Sequence, residues 1–249
     1  MNLEEAFADL LARPTKGLAP ADFESVATNT ARFPTAALVE ALRAQDRLRP
    51  DEDASLAAAI ATLALARRAD DGVLERCRDL LGSEEVQDRF VALKILGEWT
   101  FEDEGDPLRD EVRGLLARTA ARDGERDDLR ALAVAHHWTQ SSGSDLAFLL
   151  PFLDDSSAAV REAAVKGLFW RYSGEVPTRA ALAELEAPVL RVIERGEPEC
   201  LWSVVYDARE FELLPHLPVA VVDALRGLRT TPIDALLRED LDELFDAAD

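Results

Sequence analysis

The chain has 249 residues, 48% apolar and only 6% aromatic, with 49 acidic against 28 basic side chains and a formal net charge of −21. A negative field of that strength repels a phosphate backbone, so direct binding of nucleic acid is not expected; it suits solubility or attraction of a cationic protein partner. Acids exceed bases in every fifty-residue stretch, most of all over residues 201–249.

Ala and Leu dominate the apolar fraction and β-branched residues are thin, a mixture that favours helices over strands. Cys77 and Cys200 are too few for a disulfide framework. The opening MNLEEAFADLLARP is acidic and amphipathic, and no run of about 18 apolar residues occurs. Neither a secretion signal nor a membrane span is therefore expected, and the cytoplasm is the expected location.

Taken in order, residues 1–69 hold short, irregular helices, among them EEAFADLLAR, TAALVEALRA and DEDASLAAAIATLALARRA. Pro14, Pro20, Pro34 and Pro50 break them, because proline lacks an amide donor and clashes with the preceding turn. From residue 72 to 213 the apolar spacing follows i, i+3, i+4, i+7 in paired segments separated by Gly, Ser and Asp turns. VLERCRDLLGS precedes DRFVALKILGEW; PLRDEVRGLLARTAARDG precedes LRALAVAHHWTQ; DLAFLLPFLDDS precedes VREAAVKGLFWR. The second members align on Arg89, Arg130 and Arg161, spaced by 41 and 31 residues, the longer interval carrying the acidic insertion FEDEGDP. A weaker pair follows, ALAELEAPVLRVIERG and PECLWSVVYDARE, whose second helix lacks the Arg. Residues 214–249 read as capping helices; in the last, Ile233, Leu236, Leu237, Leu241, Leu244 and Phe245 are expected on one apolar face.

The stretch LLPFLDDSSAAVREAAVKGLF, residues 149–169, resembles a prokaryotic HEAT repeat, with Pro151 in the first helix, Asp155 in the turn and Val160-Arg161 opening the second. The resemblance implies an all-α fold: one right-handed α-solenoid of stacked antiparallel helix pairs over residues 1–249, with about 10–13 helices. It also implies that Asp155 pairs with Arg161 or with the Arg of a neighbouring unit. Ser83 and Gly124 stand where the other units would need that Asp, so the resemblance carries no Asp–Arg ladder into them.

Side chains that could carry chemistry point elsewhere. His136 and His137 are adjacent, hence about 100° apart on a helix and poorly placed to share a metal. His137 falls on the apolar stripe and His136 is expected to face outward. HEAT-repeat di-iron hydroxylases carry His-Glu dipeptides, and this sequence has none. HEAT-like alkylpurine DNA glycosylases use a basic, Trp-bearing concave surface. Here Trp138, Trp170 and Trp202 recur at intervals of 32, which with Trp99 reads more simply as packing between repeats. The paired acids Asp70/Asp71, Asp127/Asp128 and Asp154/Asp155 lie at turns, where they cap the next helix. A Cys200–His216 nucleophile has nothing in the sequence to bring its members together.

The expected function is a non-enzymatic protein-interaction module that binds a basic protein partner on its concave face, which the resemblance to HEAT arrays implies is lined by second helices, with no metal or cofactor and no role for nucleic acid or membrane. A monomer or weak oligomer is expected. Outward candidates on that face are Asp88, Glu98, Arg130, His136, Gln140, Lys166, Arg171, Tyr172, Tyr206 and Asp207. Two alternatives stand beside it. One is an immunity-type inhibitor of a cationic toxin or nuclease; the other is a HEAT-like enzyme such as a DNA glycosylase or chromophore lyase.

Overall fold

A computed structural model describes residues 30–48, 61–68, 70–99, 101, 106–140, 146–170 and 182–246. Every regular element among them is helical. The chain divides into two compact units, Met1–Thr119 and Ala120–Asp249. The spacing of apolar residues marks no boundary there. No helix among the described residues is long and apolar enough to cross a membrane.

In the first unit, helix α1 (Thr35–Leu48) buries Leu38, Val39 and Leu42. Residues 61–68 are also helical. Helix α2 (Asp71–Leu81) starts where the Asp70 carboxylate accepts the Val73 amide at 2.9 Å, satisfying a donor that a first turn leaves free. Helix α3 (Val86–Gly97) packs against both α1 and α2. It buries Val91, Ala92, Leu93, Ile95 and Leu96 around most of its circumference, as a helix between two neighbours must. Helix α4 (Pro107–Ala120) has Pro at the one position where a missing amide costs nothing, and Asp106 accepts the Leu108 amide ahead of it.

The second unit contains α5 (Asp127–Gln140), α6 (Leu146–Leu149), α7 (Ala158–Trp170), α8 (Glu186–Arg195), α9 (Pro198–Glu210), α10 (Val219–Leu228) and α11 (Ala235–Asp246). α6 runs straight into a 3-10 segment, Leu150–Asp154. The expected single helix DLAFLLPFLDDS therefore tightens at Pro151, which cannot donate to the turn before it. Within this unit α5 packs on α7, α7 on α9 and α9 on α11. α8 packs against the 3-10 segment and α10. It ends at Gly196, whose φ of 71° is a left-handed conformation that favours glycine.

Two arginines tie a helix to the turn that precedes it. Arg89 Nη1 donates to the carbonyls of Ser83 and Glu84 at 2.8 and 2.9 Å. Arg161 Nη1 does the same to Asp155 and Ser156 at 2.6 and 2.9 Å. Each Arg thus ties the start of its helix to the turn five and six residues before it. Because the acceptors are backbone oxygens, a Ser at that turn serves as well as an Asp.

Carboxylates link neighbouring elements within each unit. Arg130 donates through both terminal nitrogens to the Asp155 carboxylate. Arg161 meets Glu197 with Nε and Nη2, each at 2.8 Å. Arg209 joins α9 to Asp240 and Glu243 of α11 at 2.6 and 2.5 Å. In the first unit Arg43 of α1 meets Asp88 of α3 at 2.7 Å.

Candidate protein-docking site

Several outward candidates turn out to be structural. Asp88 is buried, accepting from Ser83 Oγ at 2.8 Å beside Arg43. Burial alone would raise its pKa, but those two hydrogen bonds and the guanidinium charge outweigh it and hold the carboxyl below its ordinary range. Arg130 is committed to Asp155 and to the Ala120 carbonyl, and Gln140 is buried at 7% exposure. These three are corrections to the expected surface: for Asp88 and Arg130, an ion-pair partner on a neighbouring element draws the side chain inward. His136 is half-buried, and His137 is buried with its ring stacked 3.5 Å from Phe148. Glu98 and Lys166 are exposed, while Tyr206 and Asp207 are half-buried. Arg171 and Tyr172 lie outside the described residues.

The candidates that gather are Lys166 of α7 with Tyr206 and Asp207 of the adjacent α9. Lys166 holds Glu162 at 2.7 Å, one helical turn back. Burial pushes the Asp207 carboxyl up to about 7, with Glu210 adding repulsion and only the Lys166 charge opposing. An acid whose folded pKa exceeds its unfolded value binds more protons in the folded state. Stability therefore falls as pH rises from about 4 to about 7, and the cost is complete above that. Asp207→Asn should remove that slope. Discounting for solvent screening of a half-buried group, the variant is expected to gain on the order of 1 kcal/mol over wild type at pH 8. At pH 4 it should gain almost nothing, as read by urea unfolding at the two pH values.

The tryptophans divide. Trp99 is buried at 2% exposure. Trp138 donates its indole N–H to the Ala163 carbonyl at 3.0 Å and tilts against Trp170, with 5.0 Å between ring centroids. These two rings are packed against the rest of their units. Trp170 and Trp202, by contrast, each keep 41% of their surface exposed.

Trp202 is held in place. Its ring stacks on Tyr206 one turn along α9, with centroids 4.9 Å apart, and its N–H donates to Asp240 Oδ2 at 2.9 Å. The guanidinium of Arg209 lies 5.7 Å from the Tyr206 ring centroid and closes the cluster through Asp240. A Trp fixed at edge and face but still exposed is a preordered contact surface, because little side-chain freedom remains to be lost on binding.

Beside Trp202 opens a groove of about 260 Å³. Pro198 and Glu199 line it from the start of α9, Asp234 and Leu236 from the start of α11, and Glu162 from α7. Leu236 is 69% exposed, which corrects the expected apolar face of the last helix. Leu237, Leu241, Leu244 and Phe245 form the buried stripe at i, i+4, i+7 and i+8, and Leu236 sits about 100° off it. None of these groove residues was singled out for the docking face. The legible signals were the recurrent Trp interval and the extra Leu in ALLREDL.

Neither cysteine is surrounded as a nucleophile would be. Burial pushes the Cys77 and Cys200 thiols each up to about 12. Cys200 also lies beside the Glu197 carboxylate, donating to it at 3.6 Å. A nucleophilic cysteine needs the opposite surroundings, cationic and ionising. Of the acids at turns, Asp70 caps α2, and Asp154 takes Arg191 and Arg195 at 3.0 and 2.6 Å.

No family model matches the chain, and the search of curated proteins returns no match.

Proposed function

We propose that the chain is a protein-interaction module, its helix pairs HEAT-like repeats of an α-solenoid, which docks a basic protein partner on the face carrying Trp170 and Trp202. The observation that carries this reading is Trp202, preordered by Tyr206 and Asp240 yet 41% exposed among carboxylates. Trp is enriched at the few positions that supply most of an interface's binding energy. A net charge of −21 steers cationic partners toward such an anchor and rejects polyanions. The succession of second helices in the second unit, joined by Arg130–Asp155 and Arg161–Glu197, supports the repeat reading.

Inhibition of a cationic toxin or nuclease is one form this activity would take, and the same charge argument supports it. An enzymatic role has less support, since burial holds the described cysteines as neutral thiols, and Asp70, Asp154 and Asp155 are engaged in a cap and ion pairs. Affinity capture by the full chain from cells of its source organism, at low and at high salt, tests the proposal. A basic protein retained at low salt and released at high salt is expected, and Trp202→Ala should abolish its retention. Absence of any partner at low salt would remove the basis of the reading.

A further inference from the structure

The groove beside Trp202 is small, largely apolar and acidic at its rim, and those three properties together narrow what fits it. At about 260 Å³ it lies below the range of ordinary small-molecule pockets and has room for one long side chain. Pro198, Leu236 and Leu237 give it apolar walls, and the indole of Trp202 gives it a flat one. Its rim carboxylates are Glu162, Glu199 and Asp234.

Helix N-termini usually attract anions, and α9 and α11 both begin here. The chain has already placed its own acids at these ends: Glu199 lies in the first turn of α9, and Asp234 Oδ1 accepts the Leu236 amide at 2.9 Å. An incoming anion would therefore meet three carboxylates. Glu162 is matched by Lys166, whereas no ion pair to a described Lys or Arg is seen for Glu199 or Asp234. Two acids without a described cationic partner thus share the groove lining with Trp202.

We infer that this groove receives an arginine side chain from an extended segment of the basic partner. Its guanidinium stacks on Trp202 between Glu199 and Asp234, and a neighbouring aliphatic residue of the segment lies on Leu236. This rests on the docking proposal and gives it a location and a chemistry. Arginine fits better than lysine because its planar, weakly hydrated cation both stacks on an indole and forks onto carboxylates. The chain makes the same arrangement internally one turn away. There Arg209 lies over Tyr206 and donates to Asp240 and Glu243.

The test uses the full chain and three synthetic peptides, acetyl-Gly-Leu-Arg-Leu-Gly-amide and its lysine and citrulline counterparts. Citrulline keeps the shape of arginine without its charge. Binding is read from the indole NMR signal of Trp202, assigned by its disappearance in Trp202→Phe. The arginine peptide should shift that signal saturably, the lysine peptide should bind several-fold more weakly, and the citrulline peptide should not bind. Glu199→Gln combined with Asp234→Asn, both at exposed positions, should weaken the arginine peptide by about ten-fold or more. Equal binding of the citrulline peptide would overturn the inference. So would an unchanged affinity in the double variant, or no response at Trp202. If the peptides fail while the wild-type chain still captures a basic protein, the groove assignment falls and the docking reading stands. If wild type captures nothing, the docking reading itself falls.

Discussion

Replacing Asp155 with alanine should lower the unfolding free energy by about 2–4 kcal/mol, among the largest effects of any single polar substitution in the second unit. Its carboxylate receives both terminal nitrogens of Arg130 and also accepts the Ser157 amide at 2.9 Å as α7 begins. The side chains of Asp155 and Arg130 are only 11% and 17% exposed, so truncation strands a guanidinium that water reaches poorly. Arg130 keeps its bond to the Ala120 carbonyl and stays near Asp127 at 3.7 Å, so the loss is smaller than for a fully buried pair.

The pH dependence arises from the same contacts. Burial alone would raise the Asp155 pKa, but Arg130 and the Ser157 amide outweigh it and hold the carboxyl below its ordinary range. A depressed folded pKa contributes stability that is present above the unfolded value, about 3.9, and lost as pH falls through the folded one. The gap between wild type and Asp155→Asn should accordingly be full at pH 6 and shrink as unfolding is measured at progressively lower pH. A double-mutant cycle with Arg130→Met should return a coupling of at least about 1 kcal/mol. A coupling near zero would mean that the pair does not hold α5 to α7.

Gly167→Val should cost more than about 3 kcal/mol, and Gly167→Ala about 1–2, although alanine is the better helix former. A Cβ at residue 167 would stand 2.7 Å from Trp138 Cδ1, 2.9 Å from its Cγ and 2.9 Å from Leu149 Cδ1. Trp138 cannot swing aside cheaply, because its N–H is bound to the Ala163 carbonyl and its ring meets Trp170. The overpacking penalty therefore exceeds the gain of about 1 kcal/mol from helix propensity. Adding Trp138→Leu to Gly167→Ala should recover part of the loss, so the two changes should be non-additive in denaturant unfolding. A Gly167→Ala protein more stable than wild type would contradict the close approach of α5 and α7.

Helix positions were legible because apolar spacing and turn residues agreed along most of the chain. The paired segments from Val73 to Glu210 all contain helix where the pattern placed it. The importance of Arg89 and Arg161 was legible too, but their acceptors were not. The aligned acid at the turn suggested a side-chain partner, whereas the bonds go to backbone oxygens that any residue supplies. That explains how Ser83 fills the turn before Arg89. The alternative that Asp155 pairs with a neighbouring Arg was open in the sequence, and Arg130 is that residue.

The docking face was the least legible part. Helical periodicity locates a residue on its own helix but not the neighbour that reaches for it. Asp88 was therefore placed outward although Arg43 draws it in. Leu236 is the opposite case, since a Leu beside a buried stripe reads as part of it. The Trp interval was visible, but equal spacing could not separate the packed Trp138 from the exposed Trp202. That difference depends on the surroundings of each ring in space: Ala163 and Trp170 around one, and the open groove beside α11 around the other.

The most direct test of the docking proposal is the affinity of the full chain for its captured partner, measured by calorimetry across ionic strength. At about 0.1 M salt the screening length is roughly 10 Å, so attraction between an acidic face and a basic protein weakens steeply above it. The proposal predicts a basic partner, an affinity that falls steadily with added salt, and further loss in Trp202→Ala at every salt concentration. A partner bound equally well at low and high salt, or one indifferent to Trp202, would contradict it.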